Sequence, residues 1–168
     1  MKALFIGRFQ PFHKGHLQII QHALLDYETI IIGIGSAQYN DTTDNPFSSE
    51  EREKMIKNTF EQLEISNVEI ILIPDIHNYP KWVAHVESII SDFDIVLTNS
   101  SLTKSLFEEQ GYHIEETPLF DRDKYSGREI RRRMINDESW EDLVPEPVCK
   151  IIKEIDGIKR LKELSEKT

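Results

Sequence analysis

The chain has 168 residues, of which 39% are hydrophobic, and a formal net charge of −10 at pH 7. This length fits one domain with a hydrophobic core, and no apolar run approaches the roughly 18 residues of a membrane-spanning helix. So acidic a chain is a poor match for nucleic acid or an anionic membrane. Its single cysteine, Cys149, excludes an intrachain disulfide and favours a reducing, cytoplasmic setting.

Apolar, β-branched runs alternate with helical patterns along the first 120 residues. Strand-like runs cover residues 2–6, 29–35, 68–73, 94–98 and 112–116. Amphipathic helical patterns cover residues 16–27, 48–63, 82–90 and 102–110. This alternation predicts an α/β fold: a Rossmann-like doubly wound parallel sheet of about five strands, with helices on both faces.

Two further helical segments follow the last strand, at residues 127–136 and 147–167, the second with a break at Gly157. A serine stands three residues before a glutamate at Ser48/Glu51 and at Ser126/Glu129, and each pair predicts a capping box. No linker separates these segments from the strands. We therefore expect a single domain over residues 1–168, with the sheet core in about 1–120 and a C-terminal helical part in about 121–168.

Polar segments follow each of the first four predicted strands. They cover residues 7–16, 35–47, 74–82 and 98–101. The carboxyl ends of parallel strands meet at one edge of a sheet, where ligands bind near the switch in strand order. We therefore expect the binding site to be built from these four segments.

The segment after the first strand combines groups that bind phosphate. Gly7 breaks the strand, Arg8 follows, and His13 and His16 flank Gly15 at a predicted helix start. A helix N-terminus offers unpaired N–H groups and a positive dipole end, and cationic side chains strengthen both. The segment predicts a polyphosphate site. The alternative is an ordinary helix start with two capping or surface histidines.

A second cationic segment surrounds the start of the predicted helix 127–136. Ser126 at its cap can donate hydroxyl and backbone hydrogens to phosphate, and Arg131 adds a bidentate guanidinium. The alternative is a basic, solvated helix face, which charge runs usually are.

These two segments resemble motifs of a known family. The first is similar to the H-x-G-H signature of the nucleotidylyltransferase superfamily, and the second to its Ser-x-Thr/Ser-x-Ile-Arg motif. Within that superfamily the chain resembles the archaeal nicotinamide-nucleotide adenylyltransferases over residues 6–16, 32–38, 45–52, 82–88 and 125–134. It departs from them at Arg128, where threonine or serine is usual, and in the loops 77–80 and 98–101.

The resemblance implies transfer of AMP from ATP to nicotinamide mononucleotide (NMN), which gives NAD and pyrophosphate. It implies catalytic roles for Arg8, His13, His16 and Arg131. It implies ATP and phosphate contacts at Gly7, Arg8, Phe9, His13, Gly15, His16, Tyr125, Ser126, Gly127, Ile130 and Arg131. It implies NMN contacts at Ser36, Asn78, Trp82 and Asn99.

The indole of Trp82 can stack on the nicotinamide ring as an aromatic–cation pair. The alternative for Trp82 is a core tryptophan on an amphipathic helix. Mg²⁺ is expected to bind mainly through the ATP phosphates, with no ligand from a protein side chain. ATP and NMN are the expected partners, nucleic acid and membrane are not, and the resemblance implies a homo-oligomer with a hexamer as the candidate form.

Three alternatives stay open from the sequence. The same chemistry could act on nicotinate mononucleotide or phosphopantetheine, or transfer a cytidylyl group. The fold could serve as a non-catalytic nucleotide sensor. A scaffold or RNA-binding module is the third alternative, which the net charge of −10 disfavours.

Overall fold

A computed structural model describes residues 1–118 and 120–167. Its strands are β1 Lys2–Gly7, β2 Thr29–Ile34, β3 Val68–Leu72, β4 Ile95–Leu97 and β5 His113–Glu115. Its helices are α1 Lys14–Ala23, α2 Ser49–Gln62, α3 Tyr79–Ile89, α4 Ser101–Glu109, α5 Gly127–Ile135, α6 Glu146–Glu154 and α7 Gly157–Glu166, with a short 3₁₀ turn at Glu141–Leu143. None of the helices in this described part is long and apolar enough to cross a membrane.

The five strands form one parallel sheet in the order β3-β2-β1-β4-β5. β1 is the central strand, and its Leu4 pairs with Ile31 of β2 and with Val96 of β4. The chain runs outward through β2 and β3 and then crosses to β4, so the strand order reverses between β1 and β4. Loops that leave these two strands diverge and open a crevice, which is the usual ligand position in such sheets. The predicted fold class is confirmed.

Both faces of the sheet are buried. Phe5 of β1 joins a large apolar cluster with α1, α2 and α5–α7, whereas Leu4 joins a smaller one with α3 and α4. Successive strand residues point to opposite faces, so an unbroken run such as residues 30–32 is buried on both sides. This explains why the strands read as continuous apolar runs rather than as alternating ones.

Two helix starts differ from the predictions. α1 begins at Lys14 rather than at residue 16 and ends at Ala23, because His13 itself caps the helix. α3 begins at Tyr79 rather than at residue 82, because the Asn78 side chain accepts a hydrogen bond from the backbone N–H of Lys81. The predicted break at Gly157 is confirmed: Asp156 has a left-handed backbone (φ 52°) between α6 and α7.

One of the two predicted capping boxes is complete. Ser48 and Glu51 exchange both hydrogen bonds at the start of α2. At the start of α5, the hydroxyl of Ser126 accepts from the backbone N–H of Glu129 (3.1 Å). The prediction of a return bond, from the backbone N–H of Ser126 to the Glu129 carboxylate, is wrong. That carboxylate binds the guanidinium of Arg132 at 2.7 Å instead, because a charged donor one helical turn away attracts it more strongly.

Candidate active site

His13 and His16 form a reciprocal pair at the start of α1. The backbone N–H of His16 donates to Nδ1 of His13 (3.3 Å), and that of His13 donates to Nδ1 of His16 (3.1 Å). The two rings stack with their centroids 3.5 Å apart. A ring nitrogen that accepts a hydrogen bond carries no proton, so a neutral ring must carry its proton on Nε2. Each histidine therefore offers one Nε2–H donor.

Burial keeps both rings neutral in the free protein. It lowers the pKa of His13 from 6.5 to about 3. Burial, and next the neighbouring His13, lower the pKa of His16 well below its usual range. An anionic ligand would raise both pKa values again, because it favours the charged imidazolium.

Gly15 allows the histidine pair to pack closely. A Cβ at Gly15 would lie 2.9 Å from Cε1 of His13 and 2.9 Å from Cβ of Tyr125. The ring of Phe12 stacks on His16 at 5.7 Å, and Phe9 meets it edge-on at 4.7 Å. Phe9 is fully buried and has a left-handed backbone (φ 52°), and its ring packs against that of His16.

A cavity of about 320 Å³, the histidine cavity, lies at the switch point between the ends of β1 and β4. Six of the residues predicted to bind ATP line it: His13, Gly15, His16, Tyr125, Ser126 and Gly127. Asn99, predicted to bind the acceptor, lines the same cavity. The predicted residues Gly7, Arg8, Phe9, Ile130 and Arg131 lie outside its lining. Of these, Ile130 is fully buried in the core beneath α5.

Arg131 connects the two predicted phosphate segments. It is almost fully buried, and its Nη1 donates to the backbone carbonyl of Gln10 at 2.7 Å. A Cβ at Gly127 would lie 2.8 Å from Nη1 and 3.1 Å from the Gln10 carbonyl, so glycine allows this contact. Burial, and next the charge of Arg8, lower the pKa of Arg131 to about 10, so it stays cationic near neutral pH.

Arg52 is a further residue at the site that was not predicted from the sequence. Its side chain is fully buried, and it donates five hydrogen bonds, all to backbone carbonyl oxygens. The acceptors belong to Arg8, Gly35, Ser36, Tyr39 and Ser48. One guanidinium thus joins the loops after β1 and β2 to the start of α2. Its spacing to Met55 and Ile56 was the available signal, since it places the arginine on the apolar face of α2.

Gln10 was missed as well. Its side-chain amide donates to the carbonyl of Phe47 (3.0 Å) and accepts from the N–H of Phe47 (2.9 Å). Arg160 of α7 extends this contact, because it donates to the carbonyl of Pro46 and forms a bidentate pair with Glu51. The C-terminal helix therefore holds the segment that faces the first phosphate loop.

A second cavity, of about 370 Å³, contains part of the predicted acceptor site. Trp82 and Asn78 line it, together with Asp75, Ile76, His77, Tyr79, Leu102, Thr103 and Leu106. The indole of Trp82 meets Phe107 edge-on at 5.5 Å. Ser36 lies outside the lining, but its hydroxyl donates to the Asp75 carboxylate at 2.7 Å. The structure thus gathers Trp82 and Asn78 with Ser36 adjacent, while Asn99 lies at the histidine cavity.

Asn99 and Asn78 already have partners within the protein. The Asn99 amide donates to the hydroxyl of Thr117 (2.5 Å) and accepts from its backbone N–H (3.0 Å), so it joins the loop after β4 to the loop after β5. Asn78 caps α3. Ligand binding by Asn99 and by Asn78 stays a prediction.

Metal binding depends on the donor groups that residues 1–118 and 120–167 bring together. They contain no group of three or more His, Cys, Asp or Glu side chains placed to hold a metal ion. The neighbourhood of Arg131 is rich in arginine, which suits phosphate oxygens rather than a bare cation. A metal that arrives with a polyphosphate fits this donor set.

The fold and the histidine cavity define the class of protein: a nucleotide-binding transferase of the doubly wound α/β type. Residues 4–133 match the family described as cytidylyltransferase-like. The chain is 47% identical over 164 residues to the nicotinamide-nucleotide adenylyltransferase of Thermoplasma volcanium, which covers 98% of this chain and 92% of that protein. It is 45% identical over 170 residues to the protein of that name from Archaeoglobus fulgidus, which covers 98% of each. The chain belongs to the cytidylyltransferase-like family, in the group of these archaeal relatives.

A solved structure from Francisella tularensis supports the same assignment. It is a bifunctional NMN adenylyltransferase/ADP ribose pyrophosphatase complexed with AMP and a manganese ion. It matches with a TM-score of 0.79 and 26% identity over 96% of this chain. The chain spans about half of that protein, since the match covers 52% of it.

Proposed function

We propose that this protein transfers AMP from ATP to NMN and releases NAD and pyrophosphate. The observation that carries the proposal is the pair of stacked histidines, each with its Nδ1 occupied by a backbone N–H. That pairing leaves two Nε2–H donors at a helix N-terminus that lines the histidine cavity. The archaeal relatives of 45–47% identity carry the name of this activity.

The reaction is a direct displacement at the α-phosphorus of ATP. A phosphate oxygen of NMN forms the new bond to that phosphorus, and the bond to the bridging oxygen breaks, so that its electron pair leaves with pyrophosphate. The NMN phosphate is an anion near neutral pH, so it needs no general base. Catalysis then consists of positioning and of stabilising charge on the phosphoryl oxygens.

Four side chains have proposed roles in this step. Nε2–H of His16 donates to the α-phosphate, where charge develops, and His13 donates to the β/γ side. Arg131 holds the departing pyrophosphate, and the exposed Arg8 holds phosphate at the mouth of the site. Mg²⁺ bound through the phosphates would neutralise the leaving group; a divalent metal is in keeping with the manganese ion of the Francisella structure.

The remaining predicted contacts are proposed in two groups. Gly7, Phe9, Gly15, Tyr125, Ser126, Gly127 and Ile130 shape the ATP site, either at the cavity wall or from the core behind it. The nicotinamide ring binds in the cavity lined by Trp82 and Asn78, with Ser36 held beside it by Asp75. Asn99 acts from the histidine cavity.

We further propose that residues 1–168 work as one domain. The contacts of Arg131 with Gln10, and of Arg160 with Glu51, join the C-terminal part to the sheet core and support this proposal. The homo-oligomer, with a hexamer as its candidate form, and the cytoplasmic setting are proposed from the family resemblance.

An acceptor panel tests the function. Pyrophosphate release is measured with ATP or CTP against NMN, nicotinate mononucleotide and phosphopantetheine. We expect ATP with NMN to give the highest kcat/KM. A higher value for another pair would replace the proposed acceptor or donor. ATP binding without release on any acceptor would instead indicate the sensor.

A further inference from the structure

A carboxylate stands beside Arg131, the arginine that is proposed to hold the departing pyrophosphate. Oδ1 of Asp44 lies 3.7 Å from Nη2 of Arg131. The two side chains differ in exposure, since 75% of Asp44 is accessible to solvent and only 8% of Arg131. The same guanidinium is thus near an exposed carboxylate through Nη2 and bound to the Gln10 carbonyl through Nη1.

Hydrogen bonds hold the backbone around Asp44. The next residue, Asn45, donates its N–H to the carbonyl and to the hydroxyl of Thr42 (3.2 and 3.1 Å). The carbonyl of Pro46 accepts from Arg160 at 3.0 Å, and Phe47 is clamped by Gln10. These contacts hold the backbone of residues 45–47, next to Asp44, against the rest of the protein.

Asp44 is the anionic member of a cationic neighbourhood. Burial lowers the pKa of Arg131 most, the charges of Arg8 and Arg128 lower it further, and the charge of Asp44 acts in the opposite direction. A pyrophosphate held by Arg131 would carry several negative charges next to this carboxylate. The Asp44 carboxylate and this pyrophosphate would repel each other, and both would bind the guanidinium of Arg131.

We propose that Asp44 competes with pyrophosphate for Arg131 and thereby weakens product binding. The inference rests on the proposed function, because it assigns the phosphate bound at Arg131 to the leaving group of the reaction. In the free protein, Asp44 neutralises the buried guanidinium. When pyrophosphate occupies the site, the carboxylate opposes it and speeds its release.

The test is the affinity for pyrophosphate, measured by calorimetry with and without Mg²⁺ for wild type, Asp44→Asn and Asp41→Asn. Asp41 is an exposed aspartate of the same loop, so its variant removes the same charge and serves as the matched control. We expect Asp44→Asn to bind pyrophosphate about two- to fivefold more tightly, the range of a solvent-exposed ion pair, and Asp41→Asn to match wild type.

Several results would overturn the inference. Equal affinity in wild type and Asp44→Asn would show no competition. Weaker binding by Asp44→Asn with Mg²⁺ present would make Asp44 a metal ligand instead. A gain that persists undiminished at about 0.5 M salt would exclude an electrostatic cause. Failure of wild type itself to bind pyrophosphate would refute the proposed function, which is a separate outcome.

A kinetic readout separates competition from a general change in structure. In the forward reaction, Asp44→Asn should show stronger product inhibition by pyrophosphate by the same factor of about two to five, while KM for NMN stays unchanged. If KM for NMN changed by the same factor as the inhibition by pyrophosphate, the whole site would have shifted, which would contradict a local role of Asp44 at Arg131.

Discussion

Nδ1 of His13 and Nδ1 of His16 each accept the other residue's backbone N–H, so the two rings cap α1 as a closed pair. The same contacts that satisfy the helix start also determine which ring nitrogen carries the proton. Structure and chemistry are thereby joined in two residues: the caps leave Nε2–H as the donor that each neutral ring can offer to phosphate.

Replacing His16 should chiefly lower kcat. His16→Asn keeps an oxygen that can accept the backbone N–H of His13 but lacks the Nε2–H donor. We expect kcat to fall by about 10²–10³, by analogy with the removal of one oxyanion-hole donor, with little change in the melting temperature. His22→Asn, on the exposed side of the same helix, is the control and should leave kcat unchanged. Near-normal kcat in His16→Asn would remove His16 from the mechanism.

The buried histidines should make stability depend on pH. The folded-state pKa of His13 is about 3, whereas the unfolded chain titrates near 6.5, so below pH 6.5 the unfolded chain binds the extra proton. The free energy of unfolding should therefore fall as pH drops from 6.5 toward 3, by up to about 1.4 kcal/mol per pH unit for each histidine. Urea unfolding at several pH values measures this slope.

His13→Asn isolates the contribution of His13 from that of the carboxylates. Asparagine is a good N-cap and does not titrate. In this variant the free energy of unfolding should therefore depend less steeply on pH between pH 6 and pH 4, by up to about 1.4 kcal/mol per pH unit. Identical slopes for wild type and His13→Asn would show that His13 is not held neutral.

Arg52 should be a determinant of stability rather than a substrate ligand. Arg52→Met fills a similar volume but removes the guanidinium donor from five backbone carbonyls, of which those of Ser36 and Ser48 keep a backbone N–H donor. We expect a loss of at least about 3 kcal/mol in the free energy of unfolding, measured in urea. The control is Lys57→Met on the exposed face of α2, which should change stability by less than about 0.5 kcal/mol. A small effect for Arg52→Met would mean that water replaces the guanidinium.

Trp82 should contribute to NMN binding and not to ATP binding. Trp82→Leu keeps apolar contact with Phe107 but loses the aromatic face. We expect KM for NMN to rise about 2- to 30-fold, the range for loss of a cation–π contact, while KM for ATP stays constant. Steady-state kinetics with each substrate varied in turn measures both. Parallel changes in both KM values would favour the core role of this tryptophan.

The sequence was sufficient to predict the architecture and to place His13, Gly15 and His16 together at the start of a helix. Buried strands read as apolar runs, and His13, Gly15 and His16 lie close enough along the chain for local reasoning to place them together. Arg131 and Gln10 are 121 residues apart, and Arg52 reaches carbonyls in the loops after both β1 and β2, so their roles depend on tertiary packing. The incomplete cap at Glu129 shows a further limit, because a competing arginine on the same helix decided the outcome.

Product analysis under single-turnover conditions tests AMP transfer at the histidine pair. Excess protein is mixed with ATP, NMN and Mg²⁺, and NAD and pyrophosphate are quantified together. We expect the two products in equal amounts, with the rate reduced about 10²–10³-fold in His16→Asn. Pyrophosphate without NAD, or NAD formation at an unchanged rate in His16→Asn, would contradict the assignment of this site as an NMN adenylyltransferase centre.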